Sequence, residues 1–349
     1  MIHPIIKNDI RFILKDVGEA ISQLEGKKIL ITGASGMLAS YLVYTLLYTN
    51  THIFHKPAKL YLVIRRGKKP FGKNQNIHYL NIDIAKQSPK EKGFHFIVHA
   101  ASKAAPKLYM EEMIDTLNSN ILGLYNILKI CDKNLKSLLY ISSGEVYGMP
   151  KNNKPIDETY VGMIDHLNKR SCYVEGKRAC ETICMNYFWE KKIPVKIARL
   201  FHTFGPGLNL NDGRVFSDFI MFGLKRKDIA ILGDKDIKRP LLYIGDATTM
   251  LLKLLLSNQN GLIFNVANAR NVVSVRKFAQ IVCNCFNQKY DKKIGVVIDN
   301  KKTLSYYKHA IKTIKPSIDK FKKIFSYEPK TSVAEAVKKT IDYYLSFKP

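Results

Sequence analysis

The feature that most constrains the fold of this 349-residue chain is a short apolar run that leads into a glycine-rich turn and then into a helical pattern. Residues 29–31 form the apolar run, residues 32–36 read Thr-Gly-Ala-Ser-Gly, and apolar residues then recur at helical spacing. Gly33 permits a tight turn, and Gly36 lets the backbone approach a phosphate at the helix N-terminus. This order predicts a dinucleotide-binding unit. Its expected contact residues are Gly33, Ser35, Gly36 and Met37.

Further strand and helix patterns alternate through residue 200. Apolar runs of strand length occupy residues 60–64, 77–82, 94–99, 138–141 and 195–200, and helical patterns occupy residues 113–129 and the segment that contains Tyr173. Parallel strands buried on both faces have such continuous apolar sequences. The alternation predicts an α/β fold built on a Rossmann-type, doubly wound parallel sheet.

The two ends of the chain are less regular. Residues 1–25 are amphipathic and predict an N-terminal helical extension that packs outside the main fold. After residue 200 the alternation loosens, although residues 241–246 and 261–266 indicate further strands. Residues 321–329 are expected to form a loop that contributes packing only.

The predicted strand ends carry residues suited to the rest of a dinucleotide. Asp83 and Ile84 follow the third strand, where a carboxylate and the backbone can reach an adenine, and small residues at Ala100, Ala101 and Ser102 leave room for the dinucleotide to cross. Arg65 and Arg66 end the second strand, where an NAD-binding unit often has an acidic residue. Arginine there suits the 2′-phosphate of NADP, or it faces solvent or the adenine, so both NAD and NADP remain open.

A tyrosine and a lysine four residues apart form the second chemical feature. Tyr173 and Lys177 project from one face of a predicted helix, one turn apart. A nearby ammonium favours the phenolate, so we expect Lys177 to lower the pKa of Tyr173. Such a phenol exchanges a proton with a substrate hydroxyl, with Ser143 as a second hydrogen-bonding group. The pair predicts oxidation or reduction of a secondary alcohol beside a nicotinamide.

Composition limits the class of protein. The net charge of +27 comes from lysines spread along the whole chain, and no nucleic-acid-binding motif accompanies them, so nucleic acid is not an expected partner. A basic surface nevertheless attracts polyanions such as nucleic acids and anionic membranes. The six cysteines lack paired metal-ligand spacing, which favours no metal site and a cytoplasmic location. No apolar run is long enough to span a membrane.

Several motifs resemble those of the extended short-chain dehydrogenase/reductase family that modifies nucleoside-diphosphate sugars. The resemblance covers about residues 26–345. The sequence is most similar to UDP-glucuronate decarboxylases and more weakly similar to dTDP-glucose 4,6-dehydratases and 4-epimerases. The motifs that carry it are Thr32-Gly-x-x-Gly36, Ser142-Ser-Gly-Glu-Val-Tyr-Gly148, Tyr173-x-x-x-Lys177, Arg199-Leu-Phe-His-Thr-Phe-Gly-Pro206 and Asn211-Asp-Gly-Arg-Val215.

The resemblance implies a division into lobes. The NAD(P)-binding Rossmann lobe would comprise residues 26–200 and a returning segment at about 241–270. A smaller C-terminal α/β lobe of residues 201–240 and 271–349 would hold the nucleotide sugar. Relatives in this family are often homodimers through two helices, here at about residues 108–130 and 170–190.

The resemblance also implies roles for individual residues. Tyr173 would draw the proton from the sugar 4-hydroxyl while hydride passes to the nicotinamide. Lys177 would bind the nicotinamide ribose and tune Tyr173, and Ser143 would hydrogen-bond O4. Glu145 would act as a base or orient a water at C5, or else only brace its loop. Substrate-binding positions are Ser143, Glu145 and His202, together with Arg214 and Arg239, which are suited to a diphosphate.

The sequence departs from the family pattern at three places. Gly144 stands where decarboxylases usually have serine and dehydratases aspartate, His202 replaces the usual asparagine near the phosphates, and Arg65-Arg66 replaces the acidic ribose anchor. The favoured function is decarboxylation of a UDP-uronic acid through a 4-keto intermediate. Epimerisation, 4-keto reduction and 4,6-dehydration are the alternatives. A non-catalytic dinucleotide-sensing or scaffold protein is a further alternative, which retention of the Tyr173–Lys177 pair disfavours.

Overall fold

A seven-stranded parallel sheet lies at the centre of the computed structural model, which describes residues 2–65, 69–291, 293–299 and 313–347. The strand order is β10-β6-β5-β4-β1-β2-β3. The strands of the described residues are β1 (Lys28–Thr32), β2 (Lys59–Ile64), β3 (Ile77–Asn81), β4 (Phe96–His99), β5 (Ser137–Ser143), β6 (Val195–Leu200), β7 (His202–Phe204), β8 (Ile229–Leu232), β9 (Lys238–Tyr243), β10 (Leu262–Val266), β11 (Val272–Ser274) and β12 (Val296–Asp299).

The central strand β1 shows why this sequence forms the middle of a sheet. Ile29, Leu30 and Ile31 are fully buried, and Ile31 lies in register between Leu62 of β2 and Val98 of β4. Apolar side chains on both faces of a parallel strand require a layer of helices on each side. The Rossmann-type fold predicted from the alternating pattern is confirmed.

Helices cover both faces of this sheet and form much of the remaining chain. They are α1 (Pro4–Val17), α2 (Met37–His52), α3 (Pro106–Glu111), α4 (Met113–Leu128), α5 (Ser171–Lys191), α6 (Val215–Leu224), α7 (Ile244–Leu255), α8 (Val275–Asn287), α9 (Asp319–Phe325) and α10 (Val333–Leu345). Short 3-10 helices follow α1 at Gly18–Leu24 and β5 at Gly144–Tyr147.

The C-terminal half differs from the sequence-based expectations in two places. Of the two expected strands, only β10 joins the main sheet, whereas β9 pairs with β7 and β11 in a separate three-stranded sheet and residues 244–246 begin α7. Residues 321–325 of the expected loop lie instead in helix α9. Phe321 of that helix is fully buried against Phe264 of β10, so tertiary packing stabilises a helix that is too short to give a clear sequence pattern.

The N-terminal helix α1 belongs to the main hydrophobic core. Ile6, Ile10 and Ile13 are buried in one cluster with residues of α2 and α7, so the expectation that this segment packs outside the main fold is wrong. The buried carboxylate of Asp9 accepts hydrogen bonds from Tyr41 Oη of α2 at 3.0 Å and Tyr243 Oη of β9 at 2.5 Å. The helix therefore connects elements that are distant in sequence.

Candidate active site

The carboxyl ends of the parallel strands bring the predicted chemical residues to one edge of the sheet. Gly33 follows β1, Arg65 follows β2, Ala100 follows β4, Glu145 follows β5 and His202 opens β7 directly after β6. Open α/β sheets bind ligands at this edge, near the point where the strand order reverses. Here the reversal lies between β1 and β4.

The turn between β1 and α2 has the geometry of a phosphate cradle. Gly33 has a φ of +67°, and a Cβ placed there would lie 3.0 Å from the Cα of Ala101. Gly36 is the N-cap of α2 and leaves the first backbone N–H groups of the helix without a side-chain cap. Those N–H groups and the positive end of the helix dipole favour an anion. The turn, with Ser35 and Met37 in it, therefore fits a dinucleotide pyrophosphate.

The small residues after β4 lie against this turn. The Ala100 and Ala101 N–H groups donate to the Thr32 hydroxyl at 3.1 and 3.0 Å, which fixes the backbone of β1 against that of β4. The same hydroxyl is hydrogen-bonded to the buried His99 ring at 2.8 Å. Ser102 has a buried hydroxyl without a hydrogen-bond partner among the described residues. This segment forms a close, small-residue wall beside Gly33.

The predicted adenosine-side residues lie farther out on the sheet edge. Arg65 is half-exposed and its Nη1 lies 3.1 Å from the Asp115 carboxylate of α4, whereas Arg66 lies outside the described residues. The Asp83 carboxylate accepts a hydrogen bond from the Ala85 N–H, and the Ile84 carbonyl accepts one from the Asn126 amide. Asp83 and Ile84 are thus held in a fixed turn after β3.

A lysine that the sequence analysis did not select lies next to the small-residue wall. Lys103 is nearly buried, and its ammonium is paired with the Glu112 and Asp115 carboxylates at the start of α4. Asp115 also pairs with Arg65, so one network joins the ends of β2 and β4. A lysine directly after small residues at a strand end was the signal available in the sequence.

The structure brings together Tyr173, Lys177 and Ser143. Tyr173 and Lys177 are buried on one face of α5, and the Lys177 Nζ donates to the Ile141 carbonyl of β5 at 2.8 Å. The Lys177 Nζ lies 5.9 Å from the centre of the Tyr173 ring. Ser143 ends β5, and its hydroxyl lies near enough to the Tyr173 phenol to lower the pKa of that phenol.

The pKa values in this trio follow from burial. Burial raises the pKa of Tyr173 to about 12, with a further increase from the Glu145 charge, while Ser143, Arg214 and Arg170 act in the opposite direction. Burial also lowers the pKa of Lys177 to about 8. The expected decrease in the pKa of Tyr173 is therefore wrong for this structure. Loss of solvation of the phenolate outweighs the nearby positive charges.

Glu145 is held by an arginine that the sequence analysis missed. The Arg170 Nη2 lies 3.0 and 2.9 Å from the two carboxylate oxygens, and the Arg170 side chain is only 12% exposed. The guanidinium also lies over the ring of Tyr109, which stacks on Tyr173 with 5.1 Å between ring centres. Arg170 lies about one helical turn before Tyr173 and connects Glu145 to Tyr173 through the ring of Tyr109.

Gly144 is surrounded too closely to carry a side chain. A Cβ at this position would lie 2.7–2.8 Å from three carbons of the Phe201 ring. Gly144 has a negative φ, so the constraint comes from this packing and not from backbone conformation. A serine here would require Phe201 to move.

The three predicted diphosphate residues also converge. His202 has a buried Nδ1 without a hydrogen-bond partner among the described residues. Its pKa is lowered to about 3 by burial and then by the charges of Arg239, Arg214 and Arg170. Arg214 is the N-cap residue of α6 and is oriented by the Asp212 carboxylate at 2.7 Å. A neutral imidazole among guanidinium groups suits a multiply charged anion.

The described residues show neither a metal-binding cluster nor a membrane-spanning helix. No cluster of three or more His, Cys, Asp or Glu side chains within residues 2–65, 69–291, 293–299 and 313–347 has an arrangement that could hold a metal ion. All six cysteines are free. The helices of the described chain include none with the length and apolar character needed to cross a membrane.

Comparisons with known proteins identify similar chains. A family model described as "NAD dependent epimerase/dehydratase family" matches residues 29–267. The UDP-glucuronic acid decarboxylase 1 of Xenopus tropicalis is 31% identical over 327 residues, which cover 93% of this chain and 73% of that protein. The UDP-glucuronic acid decarboxylase 1 of Danio rerio is 30% identical, and the matched region covers 93% of this chain and 74% of that protein.

Solved structures share the fold at lower sequence identity. A UDP-glucuronic acid 4-epimerase from Bacillus cereus, in complex with UDP-glucuronic acid and NAD, is 20% identical with a TM-score of 0.74 over 92% of this chain and 100% of that chain. A dTDP-glucose 4,6-dehydratase from Bacillus anthracis, in complex with NAD, is 18% identical with a TM-score of 0.72 over 92% and 97% of the two chains.

Proposed function

The chain belongs to the NAD-dependent epimerase/dehydratase family, and from that premise we propose that it oxidises a nucleoside-diphosphate sugar at C4 and acts on the resulting 4-ketone. One observation carries this proposal. Tyr173, Lys177 and Ser143 lie at the same sheet edge as the Gly33–Gly36 cradle. His202, with its three neighbouring arginines, supports binding of the diphosphate.

The proposed cofactor is NAD. Gly33, Ser35, Gly36 and Met37 would hold its pyrophosphate, Arg65, Asp83 and Ile84 would lie at its adenosine, and Ala100, Ala101 and Ser102 would line its path to the nicotinamide. When bound, the nicotinamide accepts a hydride from C4 of the sugar and later returns it. NADP remains the alternative that Arg65 supports. Mass spectrometry of the dinucleotide that co-purifies with the protein separates the two.

Tyr173 is the proposed acid–base group. Its phenolate takes the proton of the sugar 4-hydroxyl, and Ser143 donates a hydrogen bond to O4. Because the pKa of Tyr173 is about 12 in this structure, the proton transfer depends on the cationic groups around the phenol. Arg170 and Arg214 already oppose the effect of burial, and Lys177 holds its ammonium on the same helix face.

Decarboxylation of a UDP-uronic acid is the outcome we favour. The C5–C6 bond breaks, its electron pair passes into the 4-ketone as an enolate, and carbon dioxide leaves. A proton is then added at C5 in place of the lost carboxylate, and return of the hydride to C4 reduces the 4-ketone to the alcohol. The relatives at 30–31% identity that are named UDP-glucuronic acid decarboxylases support this outcome.

Epimerisation at C5 is a second candidate because of the surroundings of Glu145. Gly144 offers no hydroxyl that could donate the proton that decarboxylation adds at C5, and Glu145 is already the anionic partner of Arg170. A carboxylate in an ion pair is better suited to remove a C5 proton than to donate one. Removal and return of that proton on opposite faces would invert C5 and retain the carboxylate.

Product analysis separates these outcomes. The purified protein is incubated with UDP-glucuronate labelled with ¹³C at C6, and with dTDP-glucose and UDP-galactose as comparison substrates. The proposal expects labelled carbon dioxide and a UDP-pentose, whereas a product that retains the label and is inverted at C5 by NMR would establish the second candidate. No conversion of any of these substrates by protein with bound dinucleotide would contradict the proposal, and Tyr173→Phe provides the inactive control.

We further propose the lobe division predicted from the sequence, a cytoplasmic location and a homodimer. Six free cysteines support the location. Exposed apolar side chains along α4 support the dimer, with Ile114 79% exposed and Leu117, Leu122 and Tyr125 also exposed. Light scattering of Ile114→Glu tests the dimer: a monomeric variant supports it, and a monomeric wild-type protein contradicts it.

A further inference from the structure

The amino ends of the central strands carry basic residues, at the sheet edge opposite to the candidate active site. Lys28 begins β1, Lys59 begins β2, His95 directly precedes β4 and Lys136 directly precedes β5. Because these strands are parallel, their amino ends meet at one edge. The Lys59 N–H donates to the Lys27 carbonyl, and the Lys136 N–H donates to the His95 carbonyl, so neighbouring positions are in direct contact.

The register places these residues in a row. Lys28 of β1 lies opposite Lys59 of β2 in the strand register, and the Lys28 N–H donates to the His95 ring at 3.2 Å. Adjacent strands lie about 4.8 Å apart, so the four positions span roughly 14 Å. Adjoining segments contribute Lys27, Lys56, Lys92 and Lys133. We name the set the basic edge: Lys27, Lys28, Lys56, Lys59, Lys92, His95, Lys133 and Lys136.

Electrostatic coupling shows that members of the basic edge face one another. The pKa of His95 is lowered by burial and then by the charges of Lys27, Lys136 and Lys28. The Asp132 carboxylate acts in the opposite direction more weakly and is itself hydrogen-bonded to the backbone of Gly93 and Asn134. Positive charge therefore predominates around this ring.

The lysines of the basic edge lack ion-pair partners within the described residues. Elsewhere the chain pairs many of its lysines, including Lys103, Lys289, Lys330, Lys338 and Lys339. The carboxylates nearest in sequence to the basic edge are Glu25, Glu91 and Asp132, and Glu25 accepts a hydrogen bond from the Lys56 backbone. Charges that are not neutralised internally are available to an external anion.

We propose that the basic edge binds an anionic phospholipid surface and holds the enzyme there with its active-site edge facing away. A row of lysine charges across neighbouring strand ends is complementary in charge to a layer of lipid phosphates. The exposed Ile53 lies three residues before Lys56 and can contact the lipid interface.

This inference goes beyond the proposed reaction and is independent of it. None of the residues of the basic edge belongs to the candidate active site, because the two sets lie at opposite ends of the same strands. Binding through the basic edge would therefore leave the cleft open to a nucleotide sugar. It would place the product close to any membrane-bound enzyme that consumes it.

Vesicle co-sedimentation of the full-length protein tests the inference. Vesicles of phosphatidylcholine alone are compared with vesicles that also contain phosphatidylglycerol, at physiological salt and at about 1 M salt, where the Debye length is roughly 3 Å. We expect binding only to the anionic vesicles and release at high salt. Lys28→Glu/Lys59→Glu/Lys136→Glu should weaken binding at least tenfold and retain nucleotide-sugar turnover.

A matched control changes three exposed lysines outside the basic edge. Lys225→Glu/Lys227→Glu/Lys277→Glu alters the net charge equally and should change vesicle binding less than twofold. Glutamine replaces glutamate at the same positions if the charge-reversal variant is less stable by thermal unfolding. Equal losses in both triple variants, binding to neutral vesicles, or tighter binding to a single-stranded RNA than to anionic vesicles would overturn the inference.

Discussion

Arg170 links Glu145 to Tyr173 in the candidate active site. It binds both oxygens of Glu145 and covers the ring of Tyr109, which in turn stacks on Tyr173. A nearly buried ion pair is costly to break from one side because the remaining charge loses its partner. The position of Glu145 and the orientation of the Tyr173 ring therefore depend on one guanidinium.

Replacement of Arg170 by methionine should reduce kcat at least tenfold and leave dinucleotide binding unchanged. The variant removes the partner of Glu145 and the cation over Tyr109 but retains a long side chain. Steady-state kinetics and dinucleotide titration measure the two effects. The control is Arg178→Met in helix α5, since the Arg178 side chain is 38% exposed and its Nη1 lies 3.5 Å from the Glu175 carboxylate. Equal activity of both variants would show that Arg170 has no role in the reaction.

Gly144 is expected to resist substitution because of Phe201. Gly144→Ser should lower the free energy of unfolding by about 1–3 kcal/mol, the usual cost of forcing extra atoms into a packed site. The added Cβ would lie 2.7 Å from the Phe201 ring. Chemical denaturation measures the change, and the double variant Gly144→Ser/Phe201→Leu should recover part of it. A stable Gly144→Ser protein without this loss would contradict the packing argument.

His99 should make the protein less stable in acid. Burial lowers its pKa to about 3, whereas an unfolded chain binds a proton at this side chain below about pH 6.5. The unfolded state thus binds more protons between these values, and the free energy of unfolding falls by about 1.4 kcal/mol per pH unit as the pH decreases. Denaturation at several pH values gives the slope of the free energy of unfolding against pH, and this slope should be smaller by that amount in His99→Asn. An unchanged slope would show that His99 is not the source of this pH dependence.

At the scale of whole elements, helix α1 has the largest unexpected role. Asp9 accepts hydrogen bonds from Tyr41 of α2 and Tyr243 of β9, and pairs with Lys339 of α10 at 3.2 Å. Burial raises the pKa of Asp9, although these three partners oppose the effect. One carboxylate of the N-terminal helix therefore joins three elements from separate parts of the chain.

Asp9→Ala should destabilise the protein by about 3–5 kcal/mol, because it leaves Lys339 without this partner and two buried hydroxyls without their acceptor. Asp16→Asn on the same helix is the control. Its partner Lys330 is 64% exposed, and an exposed pair contributes about 1 kcal/mol or less. Thermal and chemical unfolding measure both variants. Similar losses in the two variants would contradict the central position of Asp9.

At the scale of the whole molecule, the sequence predicts those features that depend on neighbouring residues in the chain. The apolar run of β1, the turn at Gly33 and the helical spacing of Tyr173 and Lys177 are all local, and the parallel sheet follows from their repetition. The contacts of Arg170 with Glu145 and Tyr109 join three segments, and no local pattern specifies them. The burial of α1 and the placement of β9 outside the main sheet likewise depend on tertiary packing.

The shift in the pKa of Tyr173 illustrates the same limit. The spacing of four residues places Lys177 on the correct helix face, but it contains no information on burial. The structure shows that both groups are removed from solvent, so the pKa of Tyr173 rises to about 12 and that of Lys177 falls to about 8. Electrostatic properties of a site therefore require the packing of several elements and not only the spacing in one helix.

The central claim is that Tyr173 enables oxidation of a nucleotide sugar at C4, and stopped-flow absorbance under single-turnover conditions tests it most directly. Protein with bound NAD is mixed with UDP-glucuronate, and the absorbance band of reduced nicotinamide is followed together with product formation. We predict that the band rises and then decays as product forms in the wild-type protein, and that neither occurs in Tyr173→Phe. Product formation without the band, or turnover in Tyr173→Phe as fast as in the wild type, would contradict this claim.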